Sequence, residues 1–250
     1  MADHVLKRFD EELTKLRYRL VKLATLVQHQ TELAISSVLE GNTEHAKMVL
    51  EIEEKVDKLD IKIDKQCLRI FALHQPVAMD LRLVLSAVSI NDNMELMGDL
   101  ASNIAENVLK MDYIPNLIPK TKLSQMGEMV NQNISKILDA FVNMEITLAY
   151  DSIKIDSELS LVFEENRDLL INLMKDNSSL VNNCGILLDS NRNLQTISRL
   201  CRSIAHELIF LVKAKIVKHQ SIDDIINQQF ETDYHDSDVH DSSEDANTQI

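Results

Sequence analysis

Turns constrain this chain more than any other feature. Among 250 residues there are only 4 Gly and 3 Pro, where average usage would supply about 17 and 12. Gly and Pro supply the backbone geometries that tight turns need. A β-sandwich turns every 8–12 residues and a doubly wound α/β fold needs Gly-rich connections, so both are excluded. Long helices joined by few loops remain, with 45% apolar residues to build their core.

Apolar periodicity divides the chain into six helices. The first spans about residues 3–39, with Val5, Phe9, Leu13, Leu16, Leu20, Leu23 and Val27 at spacings of three and four, and stops at Gly41-Asn42. The second starts near Thr43 and carries Val49, Ile52, Val56, Leu59, Ile63 and Ile70 on one seam. Pro76 ends it and opens the third, which runs to about Met111. The segment from Tyr113 to Pro119 holds the other two prolines and marks a midpoint hinge. A fourth helix is expected over about 120–150, a fifth over 156–175, and a sixth over 179–219 with a weak point at Gly185.

Three helices, a hinge and three more helices suggest duplication. A shift of 100 residues sets Asn91-Asp-Asn93 on Asn191-Arg-Asn193, Leu100 on Leu200, and Asn103-Ile-Ala-Glu106 on Ser203-Ile-Ala-His206. The expected fold is all-α: two tandem three-helix bundles related by a pseudo-twofold repeat, over residues 1–114 and 115–220. Residues 221–250 form an acidic tail, expected to be disordered.

The net charge of −14 is uneven, because that tail holds nine acids and no Lys or Arg, leaving −5 for the first 220 residues. Nucleic-acid binding draws on Lys and Arg against phosphates, so no nucleic-acid partner is expected. Cys67, Cys184 and Cys201 form no CxxC and no zinc spacing, and read as buried thiols in a reducing compartment. The N-terminus lacks an apolar leader core and no run reaches 18 uncharged apolar residues. A cytoplasmic protein with at most peripheral membrane association is expected.

The third helix carries the most informative string: Gln75-Pro76, Asp80-Leu81-Arg82, Glu95-Leu-Met-Gly98-Asp99 and Asn103-Ile-Ala-Glu106. Positions 95, 99, 103 and 106 share a helical face. Two carboxylates four apart repel by about 0.2–0.5 kcal/mol in an exposed helix, and a cation between them turns that cost into binding. The second helix supplies a similar pair, Glu53 and Asp57, so side-by-side packing would converge four carboxylates. With 40 acids in 250 residues, about six such pairs arise by chance, so spacing alone marks a solvated face more often than a metal site. Gly98 inside a helix, at about 1 kcal/mol relative to Ala, points to close backbone approach.

These residues resemble the PhoU family of phosphate-transport accessory proteins, whose members show QPxAxDLR followed by ERIGDxxxNIAE. Glu53-Glu-Lys-Val-Asp57 is similar to the family's acidic motif in the preceding helix. The resemblance covers about residues 5–218, with strong motifs in the first half and weak ones in the second. It implies a tandem bundle protein, commonly a homodimer, that binds metal and acts as a negative regulator of phosphate uptake and starvation signalling. The implied partners are the ATPase subunit of the phosphate ABC transporter and a phosphate-sensing histidine kinase. The implied ligands are Glu53, Asp57, Glu95 and Asp99, with Asn103 beside them. The implied metal is a divalent or trivalent transition ion (Fe, Zn or Mn) or Mg.

The chain departs from the pattern at Leu96, where the family has Arg, and throughout the second half. There Gln195 and Arg199 stand in place of Glu95 and Asp99, and the fifth-helix pair is Asp156 and Ser160. An Arg inside a carboxylate cage is a fixed cation that repels a metal, so only the first bundle is expected to keep a site. No Glu-x-x-His, HExxH, GxSxG, GxGxxG or phosphate-loop motif occurs, so no motif argues for an enzyme, and the resemblance implies a non-enzymatic adaptor. The alternatives are a metal-dependent hydrolase using the same carboxylates and a plain helical scaffold without metal. Lys15, Arg17, Arg19 and Lys22 on the first helix form a basic run that could meet an acidic partner.

Overall fold

A computed structural model describes residues 2–217 together with Gln220 and Asp224, with residues 2–6 described by their backbone alone. The acidic segment assigned above to 221–250 thus lies outside the described residues, apart from Asp224. Among the described residues, six α-helices account for the fold: α1 Ala2–Glu40, α2 Thr43–His74, α3 Ala78–Lys110, α4 Leu123–Asn143, α5 Ile146–Asp176 and α6 Val181–Lys213. Short 3₁₀ turns at Ile118–Lys120 and Ser178–Leu180 precede α4 and α6. Helices α1–α3 pack on one another, as do α4–α6, and the two bundles join through α3 against α6 and α1 against α4.

The apolar seams read from periodicity are the buried faces. Val49, Ile52, Val56, Leu59, Ile63 and Ile70 of α2 are buried, as are Leu13, Leu16, Leu20, Leu23 and Val27 of α1. All three cysteines are buried and unpaired, and burial pushes the Cys67 thiol up to about 12. No helix of the described residues is long and apolar enough to cross a membrane.

The boundaries of the fourth and fifth helices differ from the periodic reading. Helix α4 ends at Asn143 and α5 begins at Ile146, ten residues before the expected start. The break is Met144, which takes a left-handed conformation (φ 55) and closes α4 by donating its N–H to the Ala140 carbonyl. Such a conformation normally selects Gly or Asn, so a methionine there leaves no mark in the sequence. Helix α6 likewise stops early, at Ala214 (φ 55), and Gly185 leaves it unbroken. The α2–α3 connection is Gln75 to Val77, with Gln75 left-handed (φ 46).

Gly41 ends α1 at φ 67, and Asn42 then caps α2 by accepting from the N–H groups of Glu44 and His45. The Tyr113 ring from the inter-bundle segment lies on this turn, and its hydroxyl donates to the Leu39 carbonyl at 2.9 Å. A Cβ at Gly41 would come within 2.3 Å of that ring. Gly41→Ala is therefore expected to cost about 2–4 kcal/mol from combined left-handed strain and overpacking, measurable as a lower urea midpoint. Between the bundles, Gly127 of α4 admits Ile35 of α1 where a Cβ would clash at 2.6 Å.

A candidate metal centre on the α2–α3 ridge

Helix α2 presents Glu53, Asp57, Asp60 and Asp64 at i, i+4, i+7 and i+11, which is one helical face. Helix α3 presents Asp92, Glu95 and Asp99 at i, i+3 and i+7. The two helices pack side by side, and these seven carboxylates form a continuous acidic ridge along the seam.

The ridge has a half-buried end at Glu53. Gln30, fully buried on α1, donates to the Glu53 carboxylate and to Ser102 Oγ at 3.1 Å. Asp99 lies within hydrogen-bonding reach of Glu53. Burial pushes the Glu53 carboxyl up to about 7; Gln30 opposes the rise and Asp99 adds to it. Glu95 is raised by burial and by the charges of Asp99, Asp60, Asp57 and Asp92. The four residues implied by the motifs are thus brought onto one surface, with Asp57 exposed. Asn103, expected beside them, is exposed.

The tightest grouping lies two turns along the ridge. Among the described residues, Asp60, Asp64 and Asp92 each offer a carboxylate oxygen with all three within 4.8 Å of one another. Asn91 fixes this group, donating to Asp60 Oδ1 at 2.6 Å and Asp64 Oδ1 at 3.0 Å, while its own buried Oδ1 has no hydrogen-bond partner among the described residues. Asp60 and Asp92 are both raised, first by burial and then by the Asp64 charge. This triad was not among the ligands read from the motifs. Its signal was present: Asp60 and Asp64 continue the Glu53–Asp57 face, and Asp92 lies between the two asparagines of the repeated string.

Gly98 is explained by the same seam. A Cβ there would come within 3.1 Å of both Gln30 Oε1 and Glu53 Oε2 and 3.3 Å of Val56. Gln30 is fully buried and has little room to yield, so the clash outweighs the helix preference of about 1 kcal/mol for Ala. Gly98→Ala is expected to lose about 1 kcal/mol in urea unfolding.

The second bundle repeats the framework without the charge. Asn91 Nδ2 donates to the Asp60 carbonyl at 3.3 Å, and Asn191 Nδ2 donates to the Phe163 carbonyl at 3.2 Å. This pair aligns α2 with α5 and α3 with α6. In that register Asp57, Asp60 and Asp64 become Ser160, Phe163 and Arg167, while Asp92, Glu95 and Asp99 become Arg192, Gln195 and Arg199. Only Glu53 keeps an acidic counterpart, Asp156. Asp156 is fully buried and pairs with Arg202 at 2.9 Å. Burial raises its carboxyl, and the Arg202 and Arg199 charges oppose the rise. Arg202 occupies the position of Ser102, so a guanidinium now stands where the first bundle has a hydroxyl.

The DLR motif has a different task. Arg82 reaches the Leu211 carbonyl near the C-terminus of α6 (3.4 Å), and Ser89 donates to Glu207 at 3.0 Å. Both contacts tie α3 to α6 and lie away from the acidic ridge.

Tandem three-helix bundles with an acidic ridge on the second and third helices define a recognisable class of helical protein. The PhoU domain model matches residues 20–108 and 123–208, and the chain belongs to the PhoU family. It is 31% identical over 216 residues to a phosphate-specific transport system accessory protein PhoU homolog of Zymomonas mobilis, covering 85% of this chain and 90% of the relative. The accessory protein PhoU of Escherichia coli is 27% identical over 225 residues, covering 89% and 92%. The crystal structure of PhoU from Pseudomonas aeruginosa superposes with a TM-score of 0.76 at 25% identity, covering 83% of this chain and 100% of that one. PhoU from Streptococcus pneumoniae, titled a phosphate transport system regulatory protein, gives 0.75 at 26% identity, covering 84% and 99%.

Proposed function

We propose that this protein is a phosphate-transport accessory protein that regulates phosphate uptake and starvation signalling as a non-enzymatic adaptor. It sits at the cytoplasmic face, commonly as a homodimer, between the ATPase subunit of a phosphate ABC transporter and a phosphate-sensing histidine kinase. Family membership over both bundles supports this reading, as do the names of its relatives, an accessory protein and a regulatory protein of phosphate transport systems. An adaptor of this kind biases its partners by binding one of their states more tightly than the other.

The observation that carries the metal part of the reading is the seven-carboxylate ridge, with its Asp60–Asp64–Asp92 group and the orphaned buried Oδ1 of Asn91. Glu53, Asp57, Asp60, Asp64, Asp92, Glu95 and Asp99 would hold the metal. Their oxygens suit hard cations, Mn, Mg or ferric iron, better than Zn, which favours nitrogen and sulfur donors. A bound cation would supply charge neutralisation, and the chain's own residues position the carboxylates: Asn91 orients Asp60 and Asp64, and Gln30 orients Glu53.

The test is a deletion strain carrying a phosphate-starvation reporter. Expression at high phosphate is expected to rise on deletion and to return to repression with the wild-type chain. Asp60→Asn/Asp64→Asn/Asp99→Asn, checked for folding by its melting temperature, is expected to fail in that rescue. Unchanged repression in the deletion strain would overturn the regulatory role, and full rescue by the triple variant would overturn the role of the ridge.

A further inference from the structure

A second charged site lies on the other face of α2. Lys62, Lys65 and Arg69 recur at i, i+3 and i+7 on the side turned to α1, where Lys15 and Arg19 meet them. Together with Glu12 and Gln66 they line a groove of about 250 Å³. Five cations thus face one carboxylate, in a body whose net charge is −5.

The groove is organised by a buried amide. Gln66, 4% exposed, donates to the Glu12 carbonyl at 2.8 Å and to the Glu12 carboxylate at 3.1 Å, which directs its oxygen toward Arg19. Arg19 Nη1 donates to that oxygen at 2.8 Å and to the Lys62 carbonyl at 3.1 Å. One corner of the guanidinium is therefore anchored, leaving its other N–H groups for a ligand. Glu12 is itself engaged by Gln66 and lies 3.7 Å from Arg69. Among the described residues, Lys15, Lys62 and Lys65 form no ion pair.

The repeat shows that this charge is particular to the first bundle. In the register above, Lys62 corresponds to Glu165 and Lys65 to Asp168. There Lys122 is neutralised by an ion pair with Glu165. Where the second bundle sets acid against base, the first sets base against base.

We propose that the α1–α2 groove binds a free, multiply charged phosphate anhydride of the pyrophosphate class. Two guanidiniums offer the planar donor pairs that match phosphate oxygens, and three ammonium groups add point charges around them. The charge excess suits an anion carrying three or four negative charges. Among the described residues no aromatic or aliphatic side chain lines the groove, so nothing there would receive a nucleobase or an acyl chain.

The test is calorimetric titration of the full-length chain with sodium pyrophosphate, in EDTA to keep the acidic ridge metal-free. Wild type is expected to bind, with affinity that weakens as salt rises. Lys62→Glu/Lys65→Glu reverses two exposed charges and is expected to weaken binding at least about tenfold, or 1.4 kcal/mol. Lys47→Glu/Lys58→Glu, on the same helix outside the groove, is expected to leave it within about twofold. Thermal melts of both variants establish that they fold. Absence of binding by wild type, or equal weakening in both variants, overturns the proposal. Retention on phosphatidate vesicles without pyrophosphate binding assigns the face to a membrane and also overturns it. So does pyrophosphate binding that appears only after removal of residues 221–250, which assigns the groove to the chain's own acidic segment.

Discussion

Arg202→Met is expected to cost about 3 kcal/mol of folding stability. The guanidinium lies 2.9 Å from Asp156, whose side chain is fully buried. Removing it leaves a buried carboxylate offset by the Ser198 hydroxyl and the Arg199 charge alone among the groups that favour its ionised form. Asp156 already has a raised pKa in the folded state, so its ionised form destabilises the fold. The loss in Arg202→Met should therefore grow as pH rises above the unfolded value of 3.8. Urea unfolding at pH 5 and pH 8 measures this directly. The double variant Asp156→Asn/Arg202→Met is expected to recover most of the loss, because it removes both charges together. Equal midpoints for wild type and Arg202→Met at pH 8 would show that the pair does not hold the second bundle together.

The contrast between the two bundles explains why a single chain carries one acidic ridge. At Asp156 the compensating cation is covalently part of the protein. At Glu53 the corresponding position is Ser102, and the charge there is left to protonation or to a bound ion. Substitution of six further acids by Ser, Phe, Arg and Gln completes the change on the α5–α6 face.

How much of this was legible in the sequence depends on the range of the forces involved. The seams of α1 and α2 were legible because burial imposes a three-four spacing along a single helix. The α4–α5 junction and the end of α6 were not, since Met144 and Ala214 adopt left-handed backbones that composition does not announce. Gly98 was correctly read as a close approach, although only packing shows that Gln30 and Glu53 are what it admits. Glu53, Asp57, Glu95 and Asp99 were found through motifs that lie on single helices. The Asp60–Asp64–Asp92 group depends on the lateral register of α2 against α3, which is set by Asn91. Gln195 and Arg199 already suggested a lost second site, but the cation that replaces it is Arg202, a turn further on.

A second large effect is expected from pH in the metal-free protein. The Glu53 carboxyl is raised from 4.5 to about 7, so the folded state holds this proton more tightly than the unfolded state does. Its contribution is complete below about 4.5 and is lost as pH rises through about 7. Discounted for the half-exposed position of Glu53, the swing is about 1–2 kcal/mol. In EDTA, the stability difference between wild type and Glu53→Gln should shift by that amount in favour of the variant between pH 5 and pH 8. Asp60, Asp92 and Glu95 are raised in the same direction and add to the fall in wild type. Mn²⁺ at pH 8 is expected to raise the wild-type melting temperature by ligand linkage. A pH-independent difference between the two proteins would contradict the placement of Glu53.

The central claim is that the first bundle alone holds the metal, and equilibrium dialysis against Mn²⁺ with analysis of the bound metal tests it most directly. Wild type and Asp156→Asn are expected to bind with equal stoichiometry and affinity. Asp60→Asn/Asp64→Asn/Asp92→Asn is expected to bind at least about tenfold more weakly. Undiminished binding by that triple variant, or loss of a metal equivalent from Asp156→Asn, would contradict it.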